Sequence, residues 1–299
     1  MSSKIMVPKY RSFLKWAGGK YRVIDDIKRL YPKGKTQLIE PFVGAGTVFL
    51  NSDFDYYLLA DINPDLINLF NIVKADVNTY IKESRSLFIH PEANTATRYY
   101  QLRALFNQSD DRWLRAIIFL YLNRFGFNGL CRYNSENEFN VPFGSYSQHY
   151  FPEKELHYFA EKAQKAEFIC ASFQQTFAAA SENSVIYCDP PYAPIKQESN
   201  FTRYAGNDFG LTQQQELAEL SKQTAQQHNA LVMISNHDTV FTRRIYQGAR
   251  FKRVNVQRSI SHSGEKRIKV KELIAVFEKQ NLQKWQAKQQ MRAALSESP

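Results

Sequence analysis

Long apolar runs, clustered metal-binding side chains and internal repeats are missing from this chain. No stretch of about 18 consecutive apolar residues occurs, so no membrane contact is expected. Residues 1–11 are polar and basic and lack the apolar core of a secretory signal, which points to a cytoplasmic protein. Only Cys131, Cys170 and Cys188 are present, far apart, two of them in segments that read as strands. That excludes a disulfide framework and favours reduced, buried thiols. The six histidines are scattered and no Cys or His spacing suits zinc, so no metal is expected. Acidic residues are also in short supply: 29 Asp and Glu face 39 Lys and Arg, a net charge of +10. Such an excess suits a polyanionic partner held through phosphate contacts, the alternative being a basic but merely solvated surface.

What is present is globular, with 43% apolar and 23% charged residues. Strand and helix signals alternate at the two ends of the sequence. Residues 37–41, 56–60, 167–171, 185–188 and 230–235 predict strands. Helices are expected toward Asn51, from Pro64 to about Lys74, and over 211–228. Two final strands, over 251–260 and 270–277, are joined by a polar loop with Gly264 and must run antiparallel. This alternation implies a mostly parallel, doubly wound α/β sheet with an antiparallel C-terminal hairpin. The middle differs. Residues 65–106 read as helical, 113–124 as a strongly apolar helix, and 124–146 as a hairpin or ordered loop rich in Gly, Asn and aromatics. We therefore read 64–152 as an insertion into a domain formed by 1–63 and 153–299. Residues 243–271 are rich in Arg and Lys. Residues 279–299, polar and Gln-rich, read as a helix or frayed tail outside the core.

Four segments carry candidate chemistry. Asp189-Pro190-Pro191-Tyr192 follows the apolar run Val185-Ile186-Tyr187-Cys188. Ligands of open α/β sheets bind outside the carboxyl ends of strands. There, Asp189 can accept a hydrogen bond from an exocyclic amine, the prolines contribute no competing N–H, and Tyr192 can stack on a planar base. A plain proline turn is the alternative. Phe42-Val43-Gly44-Ala45-Gly46 follows the first strand, where two glycines permit close approach to a ligand. Asp61 ends the next strand and suits ribose hydroxyls. A nicotinamide, a flavin or S-adenosylmethionine would satisfy both features. Phe13-Leu14-Lys15-Trp16-Ala17-Gly18-Gly19-Lys20 is not a phosphate loop, because the spaced first glycine and the following Ser or Thr are absent. It reads as a turn offering Lys20 to an anionic group, or as a helix start with a solvated lysine. Finally, the loop over 124–146 interleaves Arg124 and Arg132 with asparagines and aromatics, types that read bases and wedge into base stacks. A packed, solvated hairpin is its alternative.

In order, these segments, together with Glu40-Pro41, Ala60-Asp61-Ile62-Asn63 and the run Leu122-Asn123-Arg124-Phe125-Gly126-Phe127-Asn128-Gly129-Leu130-Cys131-Arg132-Tyr133-Asn134, resemble the Dam-type DNA adenine-N6 methyltransferases, over residues 11–278. The lysine-bearing motif comes first and the insertion precedes Asp-Pro-Pro-Tyr, as in the alpha class of amino-methyltransferases. The resemblance implies a Rossmann-like sheet, S-adenosyl-L-methionine as methyl donor and S-adenosyl-L-homocysteine as product. It implies double-stranded DNA as partner and a flipped adenine, usually within GATC, as target; another DNA or RNA sequence is the alternative. It places Trp16, Lys20, Phe42, Gly44, Gly46, Asp61, Ser172, Phe173 and Asp189 at the donor. Asp189, Pro190, Pro191 and Tyr192 would hold the target base. Leu130 and Arg132 would read bases, with Lys15 and Pro142 nearby. Arg124, Asn134 and Asn140 would meet phosphate, Phe127 would be an intercalating wedge, and Tyr146 is retained. The insertion 64–152 would be the target-recognition domain, mainly helical and carrying a β-hairpin. No obligate protein partner is evident, and a monomer is expected.

Overall fold

The computed structural model describes residues 8–147, 149–193, 209–255 and 271–296. Seven strands form one sheet: β1 (Gln37–Glu40), β2 (Tyr56–Asp61), β3 (Ala166–Cys170), β4 (Ser184–Cys188), β5 (Leu231–His237), β6 (Arg250–Asn255) and β7 (Lys271–Phe277). Their order is β3-β2-β1-β4-β5-β7-β6. β1 pairs in parallel with β2 and β4, and β4 with β5, while β7 runs antiparallel to both β5 and β6. The chain winds outward from β1 and then returns to lay β4 on its other side. The topological switch point therefore falls between β1 and β4, where such sheets bind ligands. The helices among the described residues are α1 (Ile24–Lys28), α2 (Thr47–Asn51), α3 (Pro64–Ala75), α4 (Val77–Ile89), α5 (Ala96–Gln108), α6 (Arg112–Phe125), α7 (Glu153–Ala163), α8 (Phe173–Phe177), α9 (Leu211–His228), α10 (Val240–Ile245) and α11 (Lys279–Ser296).

The chain divides into two compact units. The first comprises residues 1–24, 43–53 and 63–168, the second 25–42, 54–62 and 169–299. In the first, short polar side chains start the helices. Asn63, Asp76, Thr95 and Asp111 accept the leading N–H groups of α3, α4, α5 and α6, and Pro64 takes the first turn of α3, where no N–H is needed. The apolar α6 is buried through Ile118, Leu120 and Leu122, and Phe13, Phe49, Phe70, Phe159 and Phe168 form a cluster of edge-on and tilted rings. In the second unit, β4 is buried along its whole length, and Ile186, Val232, Ile234, Leu273 and Ala275 join Leu217 and Ala225 of α9 in one core.

The anticipated strands and helices recur within a residue or two, with three corrections. Within 124–146 the expected hairpin or ordered loop has its strand pairing reduced to two isolated antiparallel bridges, Gly126 with Phe143 and Tyr133 with Phe139, held by backbone bonds such as Asn134 N–H to the Glu138 carbonyl at 2.9 Å and Asn140 N–H to the Arg132 carbonyl at 3.0 Å. None of the three cysteines is in a disulfide, but not all are buried: Cys188 is, whereas Cys131 is half-buried and Cys170 exposed, at the end of edge strand β3. The C-terminal segment is not outside the core. Leu282 of α11 is only 1% exposed and belongs to the core of the second unit, with Trp285 beside Gly248. The expected strand residues 256–260 and 270, and Gly264, lie outside the described residues. Among the described residues, no helix is long and apolar enough to cross a membrane, and no group of acidic, His or Cys side chains is placed to hold a metal.

Candidate active site

In the second unit, β1 ends at the buried Glu40 and Asp189 follows the end of the neighbouring parallel strand β4. Proline stiffness alone does not hold the turn after β4. The Pro191 carbonyl accepts from Gln214 Nε2 at 2.7 Å, and the Ala193 N–H donates to Asn236 Oδ1 at 3.0 Å. Asn236 Nδ2 in turn donates to Gln214 Oε1 and to the Tyr246 hydroxyl, both at 2.9 Å. Gln214, Asn236 and Tyr246 are fully buried, so this network is shielded from water and rigid. Tyr192 is held from two sides. Its hydroxyl donates to Glu272 Oε2 at 3.1 Å, and its ring meets that of His237 edge to face at 4.9 Å. His237 Nδ1 lies 2.8 Å from the Ala193 carbonyl. Burial, and then the negative charge of Asp189, pushes the Tyr187 phenol and the Cys188 thiol well up, so both stay protonated at neutral pH.

An aromatic corner lies in the same unit. Phe42 stacks on Phe173 with centroids 5.8 Å apart, and Phe209 packs edge-on against Phe42 at 5.4 Å. Ser172 accepts from the Gln175 N–H in a capping box that starts α8 and so seats Phe173. Asp61 stands at the end of β2, its carbonyl accepting the Ala171 N–H at 3.3 Å. Rings on one side and a carboxylate at the neighbouring strand end suit the base and ribose of an adenosine group.

The first unit holds the other motif residues. Gly44 has φ +47°, and a Cβ there would sit 2.8 Å from Trp16 Nε1, so only glycine lets backbone and indole pack. Lys20 is 4% exposed, with Nζ donating to the Gly18 carbonyl at 2.7 Å. Gly46, at φ +69°, opens α2.

The basic and aromatic loop is also in the first unit. Asn123, buried within apolar α6, accepts the Lys15 N–H at 2.8 Å and donates to the carbonyls of Lys15 and Gly129. Lys15 Nζ reaches the Arg124 carbonyl at 3.2 Å and sits 4.4 Å above the Tyr146 ring; burial and Arg124 lower its pKa. A Cβ on Gly129 would meet Lys15 Cβ at 2.3 Å, which explains the glycine. The Tyr146 hydroxyl accepts the Asn128 N–H at 2.6 Å and so fixes the turn carrying Phe127. Arg132 Nε donates to Asn140 Oδ1 at 2.7 Å, and Nη2 to the Asn140 carbonyl at 3.1 Å. Asn140, expected at phosphate, thus orients Arg132. Asn134 caps the N–H groups of Glu136 and Glu138. Arg124 donates to the Phe13 carbonyl and is largely buried, which lowers its pKa. Leu130 is half-buried and Pro142 exposed.

Sequence reasoning missed Gln214, Asn236, Tyr246, His237, Glu272, Phe209 and Asn123. Asn236 and Asn123 did leave a signal, a lone carboxamide inside an apolar element. Gln214, within a Gln-rich helix, left none.

Sheet order and switch-point turn together define a Rossmann-like methyltransferase. Residues 16–260 match the D12 class N6 adenine-specific DNA methyltransferase family, and the chain belongs to that family. A DNA adenine methylase of Haemophilus influenzae is 64% identical over 269 residues, covering 90% of this chain and 94% of that protein. Proteins of the same name from Vibrio cholerae and Escherichia coli K12 are each 57% identical over 269 residues, covering 90% of this chain and 96% of theirs. Family membership makes DNA the substrate and calls for a methyl donor.

Proposed function

We propose that the chain methylates N6 of an adenine rotated out of duplex DNA, within GATC, with S-adenosyl-L-methionine as donor. The observation that carries this reading is the Asp189–Tyr192 turn at the switch point, clamped by Gln214 and Asn236. When bound, the donor supplies a methyl group on a positively charged sulfur and leaves as S-adenosyl-L-homocysteine. The residues present fit it. Phe42, Phe173 and Phe209 offer a ring-lined wall for adenine, next to Ser172, and Asp61 a carboxylate for the ribose. Trp16, Lys20, Gly44 and Gly46 are assigned to the donor on their motifs.

The target amine is unreachable inside a base pair, and extruding the base costs a few kcal/mol. Stacking on Tyr192 offsets part of this, at about 1–3 kcal/mol. Asp189 accepts one amine N–H. Gln214 already occupies the Pro191 carbonyl, so the proposed second acceptor is that of Pro190. Two acceptors draw the nitrogen out of conjugation, and its lone pair points at the methyl carbon. With the donor bound, the amine would take the methyl group while the sulfur kept the C–S electron pair, and Asp189 and water would receive the proton that the nitrogen releases. Orientation of this kind can supply several kcal/mol.

Residues 64–152 are proposed as the recognition part and 1–63 with 153–299 as the catalytic part. Arg132 and Leu130, with Lys15 and Pro142, would read bases. Arg124, Asn134, Asn140 and Tyr146 would meet the backbone, and Phe127 would fill the vacated stack. A cytoplasmic monomer is the proposed working form. The test is expression in bacteria lacking adenine methylation, followed by digestion with nucleases of opposite sensitivity to GATC methylation. Protection confined to GATC is expected. Unmodified GATC, or methylation in another sequence, overturns the assignment.

A further inference from the structure

Tyr192 touches His237 and Glu272, and each of these adjoins a member of one charged cluster. Asp238 follows His237, and Lys271 precedes Glu272. The Asp238 N–H donates to the Lys271 carbonyl at 2.9 Å, which locks the end of β5 to the start of β7. The Asp238 side chain, 8% exposed, accepts a two-pronged bond from Arg243, at 2.5 Å from Nε and 2.8 Å from Nη2. Arg253 of β6 adds Nε at 3.5 Å from Oδ2, and Lys271 also bears electrostatically on the same carboxylate.

One guanidinium suffices to satisfy Asp238, and Arg243 does so. Three cations against one carboxylate leave two positive charges in excess. The Arg253 side chain is 69% exposed and lies 3.5 Å from a carboxylate that Arg243 already fills, and Lys271 is exposed. The neighbouring cations of β6 are less exposed, Arg250 at 48% and Lys252 at 46%, and face other carboxylates, Glu278 at 3.6 Å and Asp26 at 3.9 Å. The surplus charge thus rests on Arg253 and on Lys271, the residue that precedes Glu272, whose side chain holds Tyr192.

We infer that Arg253 and Lys271 form a backbone-phosphate site for the DNA strand that carries the target base. The inference rests on the reading of Tyr192 as the base platform. A nucleotide whose base lies on that ring carries a phosphate on either side of its sugar, and a planar guanidinium beside an ammonium matches such an anion. Phosphate contacts fix position without reading sequence, so this site serves any duplex equally.

The experiment is duplex binding across a salt series for the full chain and its Arg253→Gln, Lys271→Gln and doubly substituted variants. The slope of log K against log salt is expected to become shallower by about 0.9 for each contact removed. Binding should weaken equally on GATC-containing and GATC-free duplexes. Arg253→Lys retains the charge and should retain the slope. Arg244→Gln removes an exposed cation of α10 outside the cluster and should leave the slope unchanged. A wild-type slope in the double variant, or an equal loss with Arg244→Gln, overturns the inference. Neither result depends on where the base is held. Failure of the base-platform reading would show separately, as full methyl transfer by Tyr192→Ala.

Discussion

Asn236 Oδ1 stands 3.0 Å from the backbone nitrogen of Ala193, so a buried carboxamide on β5 fixes the chain immediately after Tyr192. The same oxygen also takes the His237 N–H at 2.9 Å, while its amide nitrogen serves Gln214 and Tyr246. Replacing Asn236 with Ala strands several buried polar groups, each costing about 1–3 kcal/mol. A lower thermal midpoint and a fall in kcat larger than the change in KM for DNA are expected. Tyr246→Phe, which removes a single hydroxyl, should fold normally and show a milder kcat loss. Wild-type turnover in Asn236→Ala would mean that the turn sets itself.

Tyr192 combines a ring with a hydroxyl bond to Glu272. If the ring is the base platform, Tyr192→Ala loses stacking worth about 1–3 kcal/mol, or roughly five- to 150-fold in transfer rate. Tyr192→Phe should retain most activity. Equal damage from both variants would assign the role to the hydroxyl, and single-turnover methyl transfer distinguishes the two.

Gly44→Ala places a methyl 2.8 Å from the Trp16 indole nitrogen, at a φ of +47°. The left-handed backbone alone costs about 1–2 kcal/mol, and the indole must also move. Donor binding measured by calorimetry should weaken about tenfold or more. Unchanged donor affinity would remove Gly44 and Trp16 from the donor site.

Asn140 carries two of the Arg132 guanidinium bonds. Asn140→Ala removes the Oδ1 acceptor and leaves Arg132 only the backbone carbonyl, so discrimination between GATC and single-base variants should relax while methyl-donor affinity holds. Competition between cognate and substituted duplexes is the measurement. Undiminished discrimination would show that Arg132 needs no such guide.

His149 stacks on Phe125 at 3.7 Å, and burial, then the Lys15 charge, lowers its pKa to about 4. The unfolded histidine titrates near 6.5, so below that pH the unfolded state binds more protons than the folded one. Stability from this group is present above pH 6.5 and is lost as pH falls toward 4. The thermal midpoint should fall less between pH 7 and 5 in His149→Phe than in the parent chain. An identical fall would exclude this histidine as the cause.

The apolar runs within residues 37–61 and 184–237 were enough to place four parallel strands and their order of appearance, because buried strands are apolar along most of their length. The antiparallel end followed from the short connection before 271–277. Motif residues at strand ends, Asp61 and Asp189 above all, were legible for the same reason, since a carboxylate closing an apolar run is conspicuous. The reversal within 124–146 was legible, but glycine and asparagine do not say how far a ladder extends, and it stops at two isolated bridges.

By itself the sequence determined the sheet, the turn chemistry and the surplus of positive charge, all of which depend on residue type and local spacing. Only the tertiary structure decided that Gln214, Asn236 and Tyr246 meet behind Pro191, that Asn140 steers Arg132, and that Arg253 and Lys271 converge on Asp238. Those partners are separated along the chain by up to dozens of residues. Hydrogen bonds and charge act over a few ångströms, and only folding determines which distant side chains come within that range.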